Sequence, residues 1–280
     1  MEILRYAAFS ADPTGGNPAG VVLDATGVEA AEMLRIAAEV GYSETAFLTP
    51  LGADKFDVRY FSPLAEVPFC GHATIASAVG YAERHGAGPL QFETRAGTVR
   101  VDTEISPTGP TTATLISVAP RTSQITAGDL AALLAALRWS TADLDPALPP
   151  RAAYAGAWHP IVAVTSRRRL ADLDYDMPAL GALMAARDWT TVQLVWRESG
   201  DLFHVRNPFP PGGVFEDPAT GAAAAAFGGY LRELGLVDPP TAVRLRQGVD
   251  MGRPSLLTVG IGPDPETGIA VTGTAVPLAG

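Results

Sequence analysis

Lysine is almost missing from this sequence: Lys55 is the only one in 280 residues. An enzyme that forms a Schiff base would have to use that residue, and a phosphate-binding P-loop needs a Gly-Lys-Ser/Thr run, which does not occur. The formal net charge is −10 at pH 7, whereas nucleic-acid binding draws its affinity from clustered cationic side chains. The sequence therefore disfavours all three of these protein classes.

Cysteine is equally scarce, since Cys70 stands alone. A single cysteine excludes an internal disulfide framework and fits a reducing compartment. The four histidines show no metal-ligand spacing, and one cysteine offers a zinc site little to work with. We therefore expect no metal and no cofactor.

Long apolar runs are also missing, because no stretch of about 18 consecutive apolar residues occurs. Residues 1–5 lack the basic segment followed by an apolar run that marks a signal peptide. Hydrophobic residues make up 47% of the chain and charged residues 18%, which is typical of a globular protein of one or two domains. We predict a cytoplasmic protein that does not enter the membrane.

Two segments of the chain, residues 68–81 and 217–230, share one design. Each opens on a turn with a glycine, continues through small side chains and closes on a Gly-Tyr pair, and the two pairs lie 149 positions apart. The first amides of a helix lack internal partners and favour an anion, and Gly71 and Gly221 would let a ligand approach the backbone. Two such helix starts could hold a small carboxylate. The alternative is an alanine-rich core helix after an ordinary turn.

The repetition extends beyond these helices, with offsets that drift only from 142 to 149. His159-Pro160 repeats Asn17-Pro18, residues 191–194 repeat 45–48, and residues 203–206 repeat 56–59. Duplication followed by small loop changes would leave this pattern. It predicts two similar lobes, residues 1–119 and 120–280, with a last C-terminal strand that could join the first lobe.

Apolar spacing and turn residues divide these lobes into elements. Helices are predicted at 29–40, from about 71 to 84, and at 128–137; strands are predicted at 2–9, 21–23, 42–48, 56–61, 90–94, 98–101 and 111–118. Residues 12–20 are predicted to be irregular because of their glycines and prolines.

Glu44 begins a strand-like segment of small and apolar residues. A carboxylate desolvated there would bind a proton more tightly and could both take and return one. The alternative is that Glu44 faces solvent on the open side of a sheet. The repeat places Thr190 at the matching position, so one lobe alone carries the acid. A single base favours proton removal and return on the same face of the substrate, as in an isomerase.

Five motifs in order resemble the phenazine-biosynthesis PhzF-like family, which shares the fold of diaminopimelate epimerase. They are GNPA at 16–19, SETAF at 43–47, VPFCGHAT at 67–74, EDPATG at 216–221 and MGRPS at 251–255. The resemblance implies an α+β fold of two pseudo-symmetric lobes, each a β-barrel-like sheet wrapped around a central helix. It also implies an active site in the cleft between the lobes, and a homodimer.

The resemblance carries roles for individual residues. The glutamate of the family's Ser-Glu-Thr motif is the proton shuttle, which corresponds to Glu44, and His72 and Asp217 correspond to residues that line the cleft. The family's reference reaction is the cofactor-free isomerisation of a dihydro-hydroxyanthranilate. The chain departs from the pattern at Ala222, where the family often has serine, so the resemblance does not extend to that substrate. From the residues alone, His72 could cap its turn and Asp217 could be a helix N-cap.

Racemases with this fold use one cysteine in each lobe, and Cys70 resembles the first of them. The second motif, residues 217–221, contains no cysteine, so a two-thiol mechanism cannot operate. We predict an isomerase of a small anionic metabolite, in which Glu44, His72 and Asp217 are catalytic. The backbone amides predicted to bind the anion are those of Gly71, Ala73, Thr220, Gly221 and Ala222. Two alternatives stay open: a one-base epimerase or racemase of an amino acid, and a metabolite-binding protein without catalysis.

Overall fold

The chain forms two compact units in a computed structural model that describes residues 1–279. The N-unit comprises Met1–Ile116, Arg253–Leu256 and the chain from Thr272 onward, and the C-unit comprises Ser117–Gly252 and Leu257–Val271. The predicted lobe boundary after residue 119 stays a prediction. Within residues 1–279, no helix combines the length and the apolar character needed to cross a membrane.

The elements of the N-unit follow one another as strands with two helices between them. They are β1 (Leu4–Ala8), β2 (Asn17–Val22), α1 (Ala30–Val40), β3 (Glu44–Pro50), β4 (Lys55–Phe61), β5 (Glu66–Val67), α2 (Gly71–His85), β6 (Pro89–Thr94), β7 (Gly97–Glu104) and β8 (Thr112–Ile116).

The remaining elements belong to the C-unit, except that β16 begins, and β17 ends, in segments of the N-unit. They are β9 (Arg121–Gln124), α3 (Ala127–Leu137), β10 (Arg151–Tyr154), β11 (Trp158–Ala163), α4 (Arg167–Ala171), α5 (Met177–Arg187), β12 (Gln193–Arg197), β13 (Leu202–Phe209), β14 (Val214–Asp217), α6 (Gly221–Glu233), β15 (Thr241–Gln247), β16 (Ser255–Ile261) and β17 (Ala270–Pro277).

The paired strands of the N-unit form a closed ring. β1 pairs antiparallel with β2, β2 parallel with β3, β3 antiparallel with β4, and β4 parallel with β6. β6, β7 and β8 form an antiparallel meander, and β17 pairs with both β8 and β1 to complete the ring. A closed ring leaves no free sheet edge. The predicted barrel-like sheet is confirmed.

Helix α2 is the central element of this ring. It contacts β1, β2, β3, β7 and β8, and ten of its residues are buried. Its small side chains allow the strands to come close: a Cβ on Gly80 would lie 3.1 Å from the ring of Tyr6. The first turn is held by Thr74, whose hydroxyl donates to the Cys70 carbonyl at 2.7 Å and also bonds the Tyr60 hydroxyl at 2.7 Å.

The C-unit repeats this sequence of pairings. β10 pairs antiparallel with β11, β11 parallel with β12, β12 antiparallel with β13, and β13 parallel with β15, in the order seen for β1, β2, β3, β4 and β6. Helix α6 contacts β9, β10 and β11 and has ten buried residues, so it corresponds to α2. The prediction of two similar lobes, each with a central helix, is confirmed.

One predicted loop is wrong at its end, because residues 17–20 belong to strand β2. Pairing to β1 includes Asn17 and Pro18, whereas pairing to β3 starts only at Ala19. Pro18 therefore lies where β2 has one neighbour, a place at which a proline is tolerated. Long-range pairing overrides the local preference of these residues for a turn.

Replacing Gly228 with alanine tests whether α6 must lack a side chain where it packs against its neighbours. A Cβ there would lie 2.7 Å from Val259 Cγ1 and 2.8 Å from Ile269 Cγ2. We expect Gly228→Ala to lower the free energy of unfolding by about 1–3 kcal/mol in urea denaturation, although alanine is the better helix former.

Gly128→Ala in α3 is the matched control, because Gly128 is exposed and its nearest non-neighbouring atom lies 4.0 Å from the added Cβ. We expect this variant to change stability by less than about 0.5 kcal/mol, or to raise it. Equal stability of the two variants would contradict the packing argument.

Candidate active site

Three side chains of the N-unit that can take or give a proton converge at the first turn of α2. Glu44 is the first residue of β3, Cys70 is the N-cap of α2, and His72 is the second residue of that helix. His72 Nε2 lies 3.4 Å from Glu44 Oε2, and Cys70 Sγ lies 3.3 Å from His72 Nδ1 and 3.7 Å from Nε2. The side chain of Glu44 keeps 16% of its surface exposed and that of His72 keeps 7%. The carboxylate is therefore neither solvated freely nor sealed in the core.

Hydrogen bonds define the tautomer of His72. The Asn17 side-chain nitrogen donates to His72 Nδ1 at 3.2 Å, and an amide nitrogen cannot accept. Nδ1 is therefore the acceptor, and the neutral ring carries its proton on Nε2, the atom that lies 3.3 Å from Ser43 Oγ and faces Glu44. This arrangement presents an N–H to the carboxylate or to an oxygen of a ligand beside it.

Arg253 supports the residue that orients this ring. Its Nε donates to the Gly16 carbonyl at 2.9 Å and its Nη2 donates to the Gly15 carbonyl at 2.6 Å. Gly16 has a φ of +71°, which favours glycine. The guanidinium therefore fixes the turn immediately before Asn17. Arg253 belongs to the MGRPS motif at 251–255, so this motif has a structural role.

The backbone amides at the start of α2 include those of Gly71 and Ala73, which are predicted to bind an anion. The first intrahelical bond runs from Thr74 N to the Cys70 carbonyl, so the amides of residues 71–73 have no acceptor within the helix. They belong to the turn that carries His72, whose Nε2 lies 3.4 Å from Glu44 Oε2, and amides at such a helix start favour an anion.

The matching turn in the C-unit is held by side-chain hydrogen bonds that the sequence does not predict. Thr220 is the N-cap of α6, and its hydroxyl donates to Asp217 Oδ2 at 2.5 Å. Gln247 closes the turn by donating to the Asp217 carbonyl at 2.7 Å and to Thr220 Oγ1 at 3.0 Å. The Thr220 amide donates to Gln247 Oε1 at 3.1 Å, so this predicted anion donor is already engaged. Gly221 and Ala222 precede the first intrahelical donor, the amide of Ala224.

Both interpretations of these residues as caps are wrong. Asp217 ends strand β14 and is not the N-cap of α6, and His72 lies inside α2 and not at its cap. Glu44 and His72 belong to the N-unit, whereas Asp217, Thr220, Gly221 and Ala222 belong to the C-unit.

Known proteins resemble this chain over nearly its whole length. A family model described as "Phenazine biosynthesis-like protein" matches residues 6–280. The trans-2,3-dihydro-3-hydroxyanthranilate isomerase of Pseudomonas chlororaphis is 32% identical over 253 residues, which are 89% of this chain and 86% of that protein. The chain belongs to the phenazine biosynthesis-like family.

Solved structures agree with this assignment. The phenazine biosynthesis protein of the PhzF family from Bacillus anthracis matches 100% of this chain and 98% of its own, with a TM-score of 0.88 and 27% identity. A probable proline racemase from Agrobacterium radiobacter K84 shares the fold at 13% identity, with a TM-score of 0.67 over 99% of this chain and 91% of its own. The predicted fold class and enzyme class are confirmed: this member of the family is an isomerase.

Four residues at the two turns were not predicted as functional. Asn17, Ser43 and Arg253 stand inside the motifs that carry the family resemblance, so a signal for them was present in the sequence. Gln247 has no such signal, because it reaches the turn at Thr220 from strand β15 and no local pattern marks it.

Strand register corrects the counterpart of Glu44 in the C-unit. Phe47 lies opposite Arg59, and Leu194 lies opposite Arg206, so the offset in this pair of strands is 147 and not 146. Counted through this antiparallel pair, the counterpart of Glu44 is Thr191, one residue beyond the predicted one. Neither residue is acidic, so the conclusion that one lobe carries the acid is unchanged.

Thr191 takes part in a buried polar cluster of the C-unit. Its hydroxyl donates to Asn207 Oδ1 at 2.9 Å, which leaves its oxygen to accept from His159 Nδ1 at 2.9 Å. His159 Nε2 is buried and has no partner within residues 1–279. Burial lowers the pKa of His159 to about 4, and the bond with Thr191 opposes this shift only in part. The ring is held neutral because a proton on Nε2 would be a buried donor without an acceptor.

The free energy of unfolding should therefore decrease as the pH is lowered from the pKa of His159 in the unfolded chain to its pKa in the folded chain. Between about pH 6.5 and about pH 4 the unfolded chain binds a proton that the folded chain does not. We expect the contribution of His159 to the free energy of unfolding to drop by about 2 kcal/mol from pH 7 to pH 4.5.

Urea denaturation of the wild type and of His159→Gln at both pH values measures this contribution, because other groups cancel in the comparison. His85→Gln, at the exposed end of α2, is the control and should keep the wild-type pH dependence. The interpretation is wrong if His159→Gln and the wild type lose the same stability on acidification.

Proposed function

We propose that this isomerase moves a proton between two carbons of a small carboxylate substrate, with Glu44 as the shuttle and without a cofactor. The observation that supports the proposal most directly is the distance of 3.4 Å between Glu44 Oε2 and His72 Nε2 at the amino-terminal end of α2. The N-unit holds three useful groups at this point: a partly buried base, an imidazole N–H, and backbone amides with no acceptor within the helix.

In the proposed reaction, the Glu44 carboxylate removes a proton from a C–H bond next to an unsaturated or carboxyl group. The electron pair left behind is delocalised into that group, and the glutamic acid returns its proton to a second carbon. The amides of Gly71 and Ala73 hold the substrate carboxylate, and the His72 Nε2–H donates to Glu44 or to a substrate oxygen. General acid–base catalysis of this kind contributes about 10²–10⁴ in rate.

The C-unit residues that the family resemblance assigns to the substrate stay predictions. They are Asp217 and the backbone amides of Gly221 and Ala222. The Thr220 amide is left out, because Gln247 accepts its hydrogen bond. The methyl group of Ala222 offers no hydroxyl, so we propose as substrate a cyclic or amino carboxylate that needs no donor at that position.

A two-thiol racemase is disfavoured by the N-caps of the central helices. Cys70 caps α2, whereas Thr220 occupies the same place in α6 and its hydroxyl is engaged with Asp217. A one-base epimerase and a binding protein without catalysis are outcomes of the experiment below. Homodimerisation and a cytoplasmic location stay predictions.

Glu44→Gln tests the assignment of the base. In deuterium oxide, NMR should show loss of a C–H signal when the wild type meets its substrate within a panel of cyclic and amino carboxylates. We expect the variant to lose this exchange by about 10²-fold or more while it still binds the same compound, since glutamine keeps the shape but cannot take a proton.

Glu39→Gln in α1 is the control, since Glu39 is an exposed acid paired with Arg35. Exchange that persists in Glu44→Gln would refute the assignment. Binding by the wild type without exchange would identify a binding protein, and a product with inverted configuration at the exchanging carbon would identify an epimerase.

Asn17→Leu tests the positioning of His72. Leucine fills a similar volume but cannot donate to Nδ1, so the imidazole proton is free to move from Nε2 to Nδ1. We expect kcat to fall about tenfold with a smaller change in KM, because the lost interaction orients a catalytic group.

The ¹⁵N chemical shifts of the His72 ring report the tautomer directly. We expect the wild type to show a protonated Nε2 and the variant to show a mixture. A lower kcat with an unchanged tautomer would assign Asn17 a purely structural role.

A further inference from the structure

We propose that an arginine–glutamate ion pair in each unit holds the strand that leads into the central helix and thereby positions the first turn of that helix. The pairs are Arg59–Glu66 in the N-unit and Arg206–Glu216 in the C-unit. All four are positioning residues, because each acts through the turn that it holds. The effect on activity rests on the proposed function, whereas the effect on the turns does not.

The two ion pairs occupy matching places in the two units. Tyr60 lies opposite Val67 in the hairpin of β4 and β5, and Asn207 lies opposite Asp217 in the hairpin of β13 and β14. In each hairpin the arginine comes directly before the first of these residues and the glutamate directly before the second. The glutamate also stands at the same distance in sequence from the N-cap of the central helix. The ion pair therefore belongs to the repeated topology.

The C-unit pair is buried and bidentate. Arg206 Nε donates to Glu216 Oε2 at 2.8 Å, and Nη2 donates to Glu216 Oε1. The remaining nitrogen, Nη1, donates at 2.8 Å to the carbonyl of Ala171, the last residue of α4. The two side chains of the pair are only 8% and 5% exposed. Because the planar guanidinium fixes direction as well as distance, it holds β14 at a defined place against β13 and α4.

Backbone pairing alone holds β14 weakly at this point. Glu216 lies opposite Pro208, which has no N–H to donate, and the strand register shifts between Pro208 and Phe209. The strand is also short, with four residues. The side-chain bonds from Arg206 therefore supply a fixed connection where the backbone ladder is interrupted.

The N-unit pair has the same geometry but is more exposed. Arg59 Nε donates to Glu66 Oε1 at 2.8 Å and Nη2 donates to Oε2 at 2.6 Å, while β5 has only two residues. The side chains of the pair are 20% and 30% exposed, and Arg95 Nε lies 3.5 Å from Glu66 Oε1. Exposed ion pairs contribute less, and Arg95 offers Glu66 a second cation. We therefore expect the C-unit pair to have the larger effect.

Asp217 connects the C-unit pair to the turn of α6, because it directly follows Glu216. Its carboxylate accepts from the Thr220 hydroxyl at 2.5 Å, and its carbonyl accepts from Gln247 Nε2 at 2.7 Å. A shift of β14 would move both acceptors. The bonds from Arg206 to Glu216 therefore set the place of Asp217 and of the turn that follows it.

Arg206→Lys tests this role, because lysine keeps the charge but lacks the planar fork that holds Glu216. In hydrogen exchange followed by NMR, we expect the Thr220 amide to exchange at least about tenfold faster than in the wild type. The amide of Phe227, which is buried in the middle of α6, should exchange as in the wild type. Glu216→Gln, which removes the charge from the other partner, should have the same selective effect.

Arg59→Lys is the matched variant in the N-unit. It should accelerate exchange of the Thr74 amide, the first intrahelical donor of α2, by a smaller factor, and leave the Thr220 amide unchanged. Arg244→Lys is the control for the substitution itself, because Arg244 forms an exposed pair with Asp201, and it should leave both amides unchanged.

Selectivity distinguishes positioning from a general loss of stability. Equal acceleration of the Thr220 and Phe227 amides in Arg206→Lys would mean that the pair only stabilises the C-unit, and would overturn the inference. Unchanged exchange of the Thr220 amide in both Arg206→Lys and Glu216→Gln would also overturn it.

Activity separates this inference from the proposed function. If the turn of α6 contacts the substrate, Arg206→Lys should raise KM about tenfold and leave kcat within about twofold, because binding and not proton transfer is affected. Faster exchange of the Thr220 amide with an unchanged KM would support the positioning role and contradict a substrate role for this turn.

Discussion

A narrow central helix packed closely against its neighbours is the constraint on which each unit depends. Helices α2 and α6 each have ten buried residues, and glycines bring them close to their neighbours, with Gly80 against Tyr6 and Gly228 against Val259 and Ile269. Close packing of this kind leaves little freedom to rotate or slide the helix. The place of each first turn, and of the residues on it, follows from this packing.

The N-unit uses that fixed turn to assemble groups from distant parts of the chain. His72 comes from α2, Glu44 is the first residue of β3 with Ser43 just before it, and Asn17 comes from β2. Parallel pairing of β2 with β3 brings the two strand starts side by side. The same imidazole thus contacts a hydrogen-bond donor on one nitrogen and an acid on the other, so its N–H faces the carboxylate of Glu44.

The two units share one topology but carry different side chains at matching positions. In the C-unit, Thr191 stands where Glu44 stands in the N-unit, and Thr220 stands where Cys70 stands. The hydroxyl groups of Thr191 and Thr220 donate internal hydrogen bonds, to Asn207 and Asp217 respectively. His159 is buried and neutral beside Thr191. The C-unit therefore offers backbone amides and one carboxylate, whereas the N-unit offers an acid, a thiol and an imidazole.

The sequence by itself determined the duplication, the two central helices and the presence of an acid at the Glu44 position in one lobe only. These features depend on residue types and spacing along the chain. It also contained Asn17 and Arg253 within motifs, without showing what they contact. Tertiary structure alone decided the tautomer of His72, the engagement of the Thr220 amide by Gln247 and the convergence of Cys70 with Glu44. Those features depend on contacts between residues far apart in the sequence, and on a strand register that shifts by one residue without altering any local pattern.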